Sequence, residues 1–279
     1  MKPAAAAIQL TRVWRQVCPN EDPYPVDCRM LAKALNIKVH GEPIDDNFEA
    51  QLRIREVKGV KRKAIIYNEN IREEGRKNFC ISHEIGHSSC HADQEEFFCS
   101  SKDLNDMALH PKNLEQEANL FAATLLMPAD DFRARLENLP PTLATISRLA
   151  DERYNTSLTA TCTRLLDLSP TAHYGMAIVR GNNTVVRWAI SKEMCWTGFG
   201  FRKGHQISAA GLAHNPEGER VESDVWLNAK NAPRWDLAQS AIYMPYYNQT
   251  LVLIAAARAG ELESFEEPDP TPPSMPSFR

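Results

Sequence analysis

Histidine is scarce in this chain, with 8 in 279 residues, so a pair at a chemically meaningful spacing carries weight. No stretch approaches the roughly 20 apolar residues that a membrane-spanning helix needs, and the chain is expected to have no membrane partner. The opening MKPAAAAIQLTRVWRQ has only a short apolar run before Arg12 and Arg15, unlike a secretory leader. The seven cysteines are odd in number and irregularly spaced. That excludes a regular disulfide framework and suits reduced thiols, so a cytoplasmic location is expected. Positive charge is also lacking: the net charge of −4 supplies no global attraction to nucleic acid. Internal repeats are absent. A 43% hydrophobic and 24% charged composition is that of an ordinary globular chain.

Against this background stands CISHEIGHSSCH, residues 80–91. On an α-helix, His83 and His87 lie one turn apart on one face, so both imidazoles can reach one Zn²⁺ at about 2.0–2.1 Å. Glu84 is rotated off the metal axis, close enough to handle an activated water but not to ligate. Phe79, Ile81 and Ile85 make the helix partly buried. Gly86, a poor helix residue by about 1 kcal/mol, fits a place where a neighbour or substrate comes close.

The pattern predicts an α+β protein. Residues 8–19 read as an amphipathic helix and Val26–Leu35 as a second, opened by Pro25 and stopped near Asn36. Strand-like runs follow at 37–40, 51–57 and 63–68, with KGVK as a hairpin turn. The histidine helix begins near Glu73. A polar, acidic connection over 92–111 leads to the helix NLEQEANLFAATLLM, ended by Pro128. Residues 140–170 read as a helix-turn-helix-like pair capped by Thr142 and Ser157. From about 172 the character is β, with hairpins around 181–183 and Asn248. A Gly-, Pro- and charge-rich segment, 196–233, lies between them. The expected division is a small zincin-like helix and antiparallel-sheet domain (1–139), the helical segment (140–170), a β-rich domain (171–260) and a disordered Pro-rich tail (261–279).

A catalytic zinc needs a third protein ligand. His91 lies one turn past His87, where a straight helix carries it beyond the metal. Glu115 and Glu117 flank the apolar stripe of Leu114, Ala118, Phe121, Ala122 and Leu125 at similar angles, and helical geometry does not choose between them.

ISHEIGHSSCH followed by LEQEANLFAATLLMP resembles the ImmA/IrrE metallopeptidases, with Glu117, Ala118, Asn119, Phe121, Ala122, Leu125, Leu126, Met127 and Pro128 in register with the family's helix. Arg76 and Phe79 also suit its pattern. SSCH is more polar than the family's usual small and apolar run. The resemblance implies a gluzincin-like zinc endopeptidase with Glu117 as third ligand beside His83 and His87, and Glu84 as catalytic base. It implies a GAF-like character for the β-rich part. It also implies, as substrate, a helix-turn-helix repressor of the XRE type, whose cleavage derepresses stress, phage or mobile-element genes. The competing reading is a non-proteolytic zinc-containing regulator or sensor that acts by binding a transcription factor.

Other signals have bland readings. Cys80 and Cys90 flank the motif, and buried inert thiols are their expected fate. A structural metal on Cys80, Cys90, His91 and Cys99 matches no standard spacing. The second helix of the helical segment offers only Arg164 to DNA, opposed by Asp167, so direct DNA binding is not expected and packing explains Ile146, Leu149, Leu158, Leu165 and Leu166. Trp188, Trp196, Phe199 and Phe201 are expected in the core. His91, His110 and Tyr67 are the candidates for stabilising an oxyanion. KAIIYN, the last strand before the metal helix, is expected at the sheet edge facing the cleft, where a substrate could add as a strand.

Overall fold

The structure is a computed structural model that describes residues 2–44, 48–91, 96–100, 113–137, 139–169, 171–194, 203–207, 212–227 and 230–260. His110, Trp196, Phe199, Phe201, the side chain of Cys99 and the 261–279 tail lie outside the described residues. The chain is α+β, with seven α-helices and two sheets among the described residues.

Helix α1 (Pro3–Val17) starts on a proline at its first position and buries Trp14, whose indole N–H donates to the Pro23 carbonyl. Helix α2 (Cys28–Ala34) is capped by Asp27, whose carboxylate accepts from the N–H groups of Arg29 and Met30 at 2.9 Å. Asn36, at φ 58°, turns the chain into β1 (Ile37–Glu42). β2 (Phe48–Val57) and β3 (Val60–Asn68) form an antiparallel hairpin. Its two-residue turn, Lys58–Gly59, has both φ angles positive (55° and 75°), as the twist-matched turn requires. After α3 (Glu74–Cys90), β4 (Glu96–Ser100) pairs antiparallel with β2.

Two expectations change here. The order is β1-β3-β2-β4, and β1 runs parallel to β3, so the sheet is mixed and not antiparallel throughout. KAIIYN is interior: Ala64 pairs with Lys38 on one side and Arg53 on the other. Its backbone groups are committed on both sides, so no peptide can add there. The edge strand next to β2 is β4, in the stretch read from sequence as a connection.

Helix α4 (Leu114–Leu126), capped by Asn113, crosses α3 closely. Pro128 ends it and also opens α5 (Ala129–Leu136), which the sequence pattern did not separate. Helix α6 (Leu143–Arg148) is capped by Thr142, runs on into a π-helical turn (Leu149–Tyr154), and ends at Asn155 with φ 47°. Helix α7 (Leu158–Leu168), capped by Ser157, follows.

The second sheet is antiparallel throughout, in the order β6-β5-β9-β8-β7: β5 (His173–Arg180), β6 (Thr184–Ile190), β7 (Asn215–Val221), β8 (Trp235–Met244) and β9 (Gln249–Arg258). β7 falls in the segment read as irregular. One face of this sheet, through Met176, Ile178, Leu251 and Leu253, joins the core of the metal-helix half, including Leu143, Ile146, Leu165 and Leu166. The other face packs Ala177, Val179, Val252 and Ile254 on Trp226, Leu227 and Trp235. The Leu143 N–H donates to Ser240 Oγ at 2.9 Å across the junction. Trp188, expected in the core, is 40% exposed.

Candidate metal centre

Three anchors place the HEIGH helix. Asn78 is buried, accepts from the Cys28 N–H (3.4 Å), and donates to the carbonyls of Val26 (3.2 Å) and Asn155 (3.4 Å). Arg76 forms a two-pronged contact with buried Glu49 of β2, at 3.0 and 2.5 Å. Gly75 lies against the Thr156 backbone, where a Cβ would sit 2.6 Å from a carbonyl carbon. Gly86 is where α4 crosses: a Cβ there would meet Phe121 Cδ1 at 2.9 Å. The close neighbour that Gly86 accommodates is thus the second helix.

His83 and His87 are fully buried, and their Nε2 atoms face each other at 3.0 Å. The carboxylate that joins them is that of Glu115, whose Oε2 lies 3.1 Å from His83 Nε2 and 3.3 Å from His87 Nε2. His83, His87 and Glu115 are a group able to hold a metal ion. Glu117, the ligand that the family resemblance implies, is not brought to the pair: its Oε2 lies 2.9 Å from His91 Nε2. Two residues apart on a helix is a rotation of about 200°, so the crossing angle of α4 on α3 decides which glutamate enters, and pattern reading could not see that angle.

The other ring nitrogens set the tautomers. His83 Nδ1 donates to Asn119 Oδ1 at 2.9 Å, which leaves the lone pair on Nε2. Glu117 can only accept from His91 Nε2–H, so neutral His91 presents a lone pair at Nδ1 to His87 Nδ1–H, 3.0 Å away. His87 therefore also has its Nε2 lone pair turned inward. Burial depresses the His87 imidazole to about 4. Neutral imidazole and ionised carboxylate are the protonation states that metal binding requires.

The donors fit a cation. Atoms bonded at about 2.0–2.1 Å around a tetrahedral ion lie about 3.3 Å apart, close to the observed 3.0, 3.1 and 3.3 Å. Three inward lone pairs at such distances repel one another unless a positive charge sits among them. Glu84 is also fully buried, and neither carboxyl oxygen has a hydrogen-bond partner among the described residues. Burial, then the charge of Glu115, pushes its carboxyl well up. An orphaned buried carboxyl beside three metal donors is the arrangement that a metal and an activated water would complete.

The remaining candidates fall away from the centre. Cys80 is buried, with its Sγ 3.7 Å from Glu49 Oε2, and burial raises its thiol far above the ordinary value. Cys90 is half-buried and raised by the same cause. Neither has the depressed pKa of a reactive thiol. Tyr67 sits under the Arg29 guanidinium, 5.0 Å from the ring centre. Arg164 is buried, donates to the Met127 carbonyl at 3.0 Å, and pairs with Asp167 at 2.7 Å. Residues 160–166 of α7 are all buried, so this helix offers those positions to no DNA groove.

Residues 32–166 match the family model described as the IrrE N-terminal-like domain, Peptidase M78. No curated protein matches the chain. Among solved structures, a Mycobacterium tuberculosis transcriptional regulator superposes on 91% of this chain and 76% of its own, with a TM-score of 0.50 at 11% identity, a likeness of fold alone. The matched span contains α3, α4, His83, His87 and Glu115, and it shows that residues 32–166 form an IrrE N-terminal-like domain of the ImmA/IrrE (Peptidase M78) family.

Proposed function

We propose that the chain is a zinc-dependent endopeptidase that cuts a protein partner in the cytoplasm. The observation that carries this reading is the convergence of His83, His87 and Glu115 within 3.3 Å beside the orphaned carboxyl of Glu84. A zinc ion held by those three residues supplies Lewis acidity, lowering the pKa of water to about 7 and polarising a carbonyl. Glu84 takes the proton of the attacking water and returns it to the leaving amine. Asn119 fixes the His83 ring while this happens.

The Leu52 backbone lies against Glu84, and Leu52 pairs with Phe97 of β4. β4 is therefore the sheet edge nearest the base, and a substrate segment adds there as an extended strand. Such a segment has to be unfolded or locally melted, since helical backbone groups are already paired. The family resemblance suggests an XRE-type helix-turn-helix repressor, cleaved to release stress, phage or mobile-element genes. The competing reading is a regulator that holds zinc and binds a transcription factor without cutting it. Glu84 favours the protease, because a structural zinc has no use for a general base.

The test is incubation of the purified chain with a candidate XRE-type repressor, with zinc and with chelator. Glu84→Gln should retain metal and fold while losing cleavage by at least about 100-fold. Cleavage by that variant at the wild-type rate removes the role given to Glu84.

A further inference from the structure

The two histidines of α3 are met by one short run of α4, Glu115 to Asn119. Glu115 meets both imidazoles directly, and Asn119 fixes the His83 ring. The third member of the run, Glu117, works through an intermediary. α3 ends at Cys90, and His91 leaves the helix at φ −125° while its N–H still donates to the His87 carbonyl at 2.9 Å. One turn past His87, the His91 ring lies beside the His87 ring, with ring centres 5.1 Å apart. The His91 side chain is only 7% exposed, and its two nitrogens are occupied by His87 on one side and Glu117 on the other.

We propose that His91 and Glu117 are positioning residues for the metal centre. Glu117 holds His91 in the Nε2–H tautomer, and His91 then accepts the Nδ1–H of His87. The chain Glu117–His91–His87 thereby fixes both the rotation of the His87 ring and the inward placement of its lone pair. His83 receives the same service in one step from Asn119. The proposal rests on His83, His87 and Glu115 being the metal ligands. The bland alternative is an ion pair that merely fastens the end of α3 to α4. It predicts a loss of stability in the variants with no separate effect on metal. Outer hydrogen-bond partners of metal-binding histidines typically matter by about 10–100-fold in metal affinity, and that is the scale expected here.

The experiment uses the full chain, stripped of metal, in wild-type form and as His91→Ala, Glu117→Ala, Glu117→Gln and Glu115→Ala. Zinc affinity is measured by competition with a chromophoric chelator, cobalt(II) absorption reports the coordination, and the melting temperature of each metal-free form is recorded. His91→Ala and Glu117→Ala should each weaken zinc binding by about 10-fold or more. A fifth variant combining His91→Ala with Glu117→Ala should be little worse than either single change, because both break one chain. Glu117→Gln keeps an acceptor for His91 Nε2–H and should stay within about 3-fold of wild type. Cobalt-loaded Glu117→Ala should keep a tetrahedral-type spectrum. Wild-type affinity in both alanine variants overturns the inference and leaves the metal centre standing. Loss of zinc that merely follows loss of metal-free stability overturns it in favour of the fastening role. Complete loss of metal in Glu117→Ala with full retention in Glu115→Ala also overturns it, by making Glu117 itself the ligand. A wild-type chain that takes up neither zinc nor cobalt overturns the metal-centre reading and this inference together.

Discussion

Replacing Gly86 by alanine sets two effects of opposite sign against each other. By helix propensity the change is favourable by about 1 kcal/mol, because Gly86 lies in a helix interior. By packing it is unfavourable. The new Cβ would sit 2.9, 3.1 and 3.2 Å from Phe121 Cδ1, Cγ and Cβ. These are the near atoms of a fully buried side chain, not a flexible tip that can swing away. Either the ring leaves its rotamer or α4 moves outward, and overpacking of this kind costs about 1–3 kcal/mol. Packing should win, with a net loss of about 1 kcal/mol for Gly86→Ala in the metal-free protein. In a Phe121→Ala background the obstacle is gone. There Gly86→Ala should stabilise by about 1 kcal/mol relative to Phe121→Ala alone. The sign reversal is the signature, and denaturant unfolding of the four proteins in a double-mutant cycle measures it. α4 also carries Glu115 and Asn119, so its displacement should weaken zinc binding by Gly86→Ala several-fold. A Gly86→Ala protein that is more stable than wild type in both backgrounds, with unchanged zinc affinity, would refute the close helix crossing on which the centre depends.

Two further outcomes follow from the same geometry. Glu115→Ala should reduce zinc retention after gel filtration far more than Glu117→Ala, since only Glu115 meets both imidazoles; equal retention in both single variants counts against Glu115. In the metal-free protein, His87 has a folded-state pKa of about 4 against an ordinary value of 6.5. Its protonation therefore favours the unfolded chain, and stability should fall as pH drops from about 6.5 to about 4, by an amount on the order of 3 kcal/mol. The melting temperature across that range reads this slope. His87→Gln should flatten it, and an unchanged slope in that variant removes His87 as the cause.

How far the residues alone reach differs from place to place. Local rules depend on neighbours within a turn, so they are legible. Thr142 and Ser157 do cap helices, Lys58–Gly59 does make the hairpin turn, and the i, i+4 spacing does set His83 and His87 on one face. Wherever the outcome depended on how one element lies on another, the pattern was silent. β3 looked like an edge because it is the last strand before α3, but β1 returns to its far side in parallel. β4 and β7 lie in stretches whose surrounding sequence is polar, and only their pairing with β2 and β8 shows them to be strands. Asp167, three residues on, was legible as the counter-charge of Arg164, whereas the Met127 carbonyl that also holds Arg164 belongs to another element and was not. The boundary after 170 looked like a domain junction, whereas Met176, Ile178, Leu251 and Leu253 share a core with the helices before it.

The centre divides in the same way. The residue types, the helix that bears them and the chemistry they can perform were written in HEIGH and in the run from Glu115 to Asn119. Only the crossing of α4 over α3 decided that Glu115 meets the histidines and that Glu117 serves them through His91. A helix repeats every 3.6 residues, so each position's direction is known relative to its own axis but not relative to a partner helix. That second angle is set by packing, here by Phe121 seated against the missing side chain of Gly86.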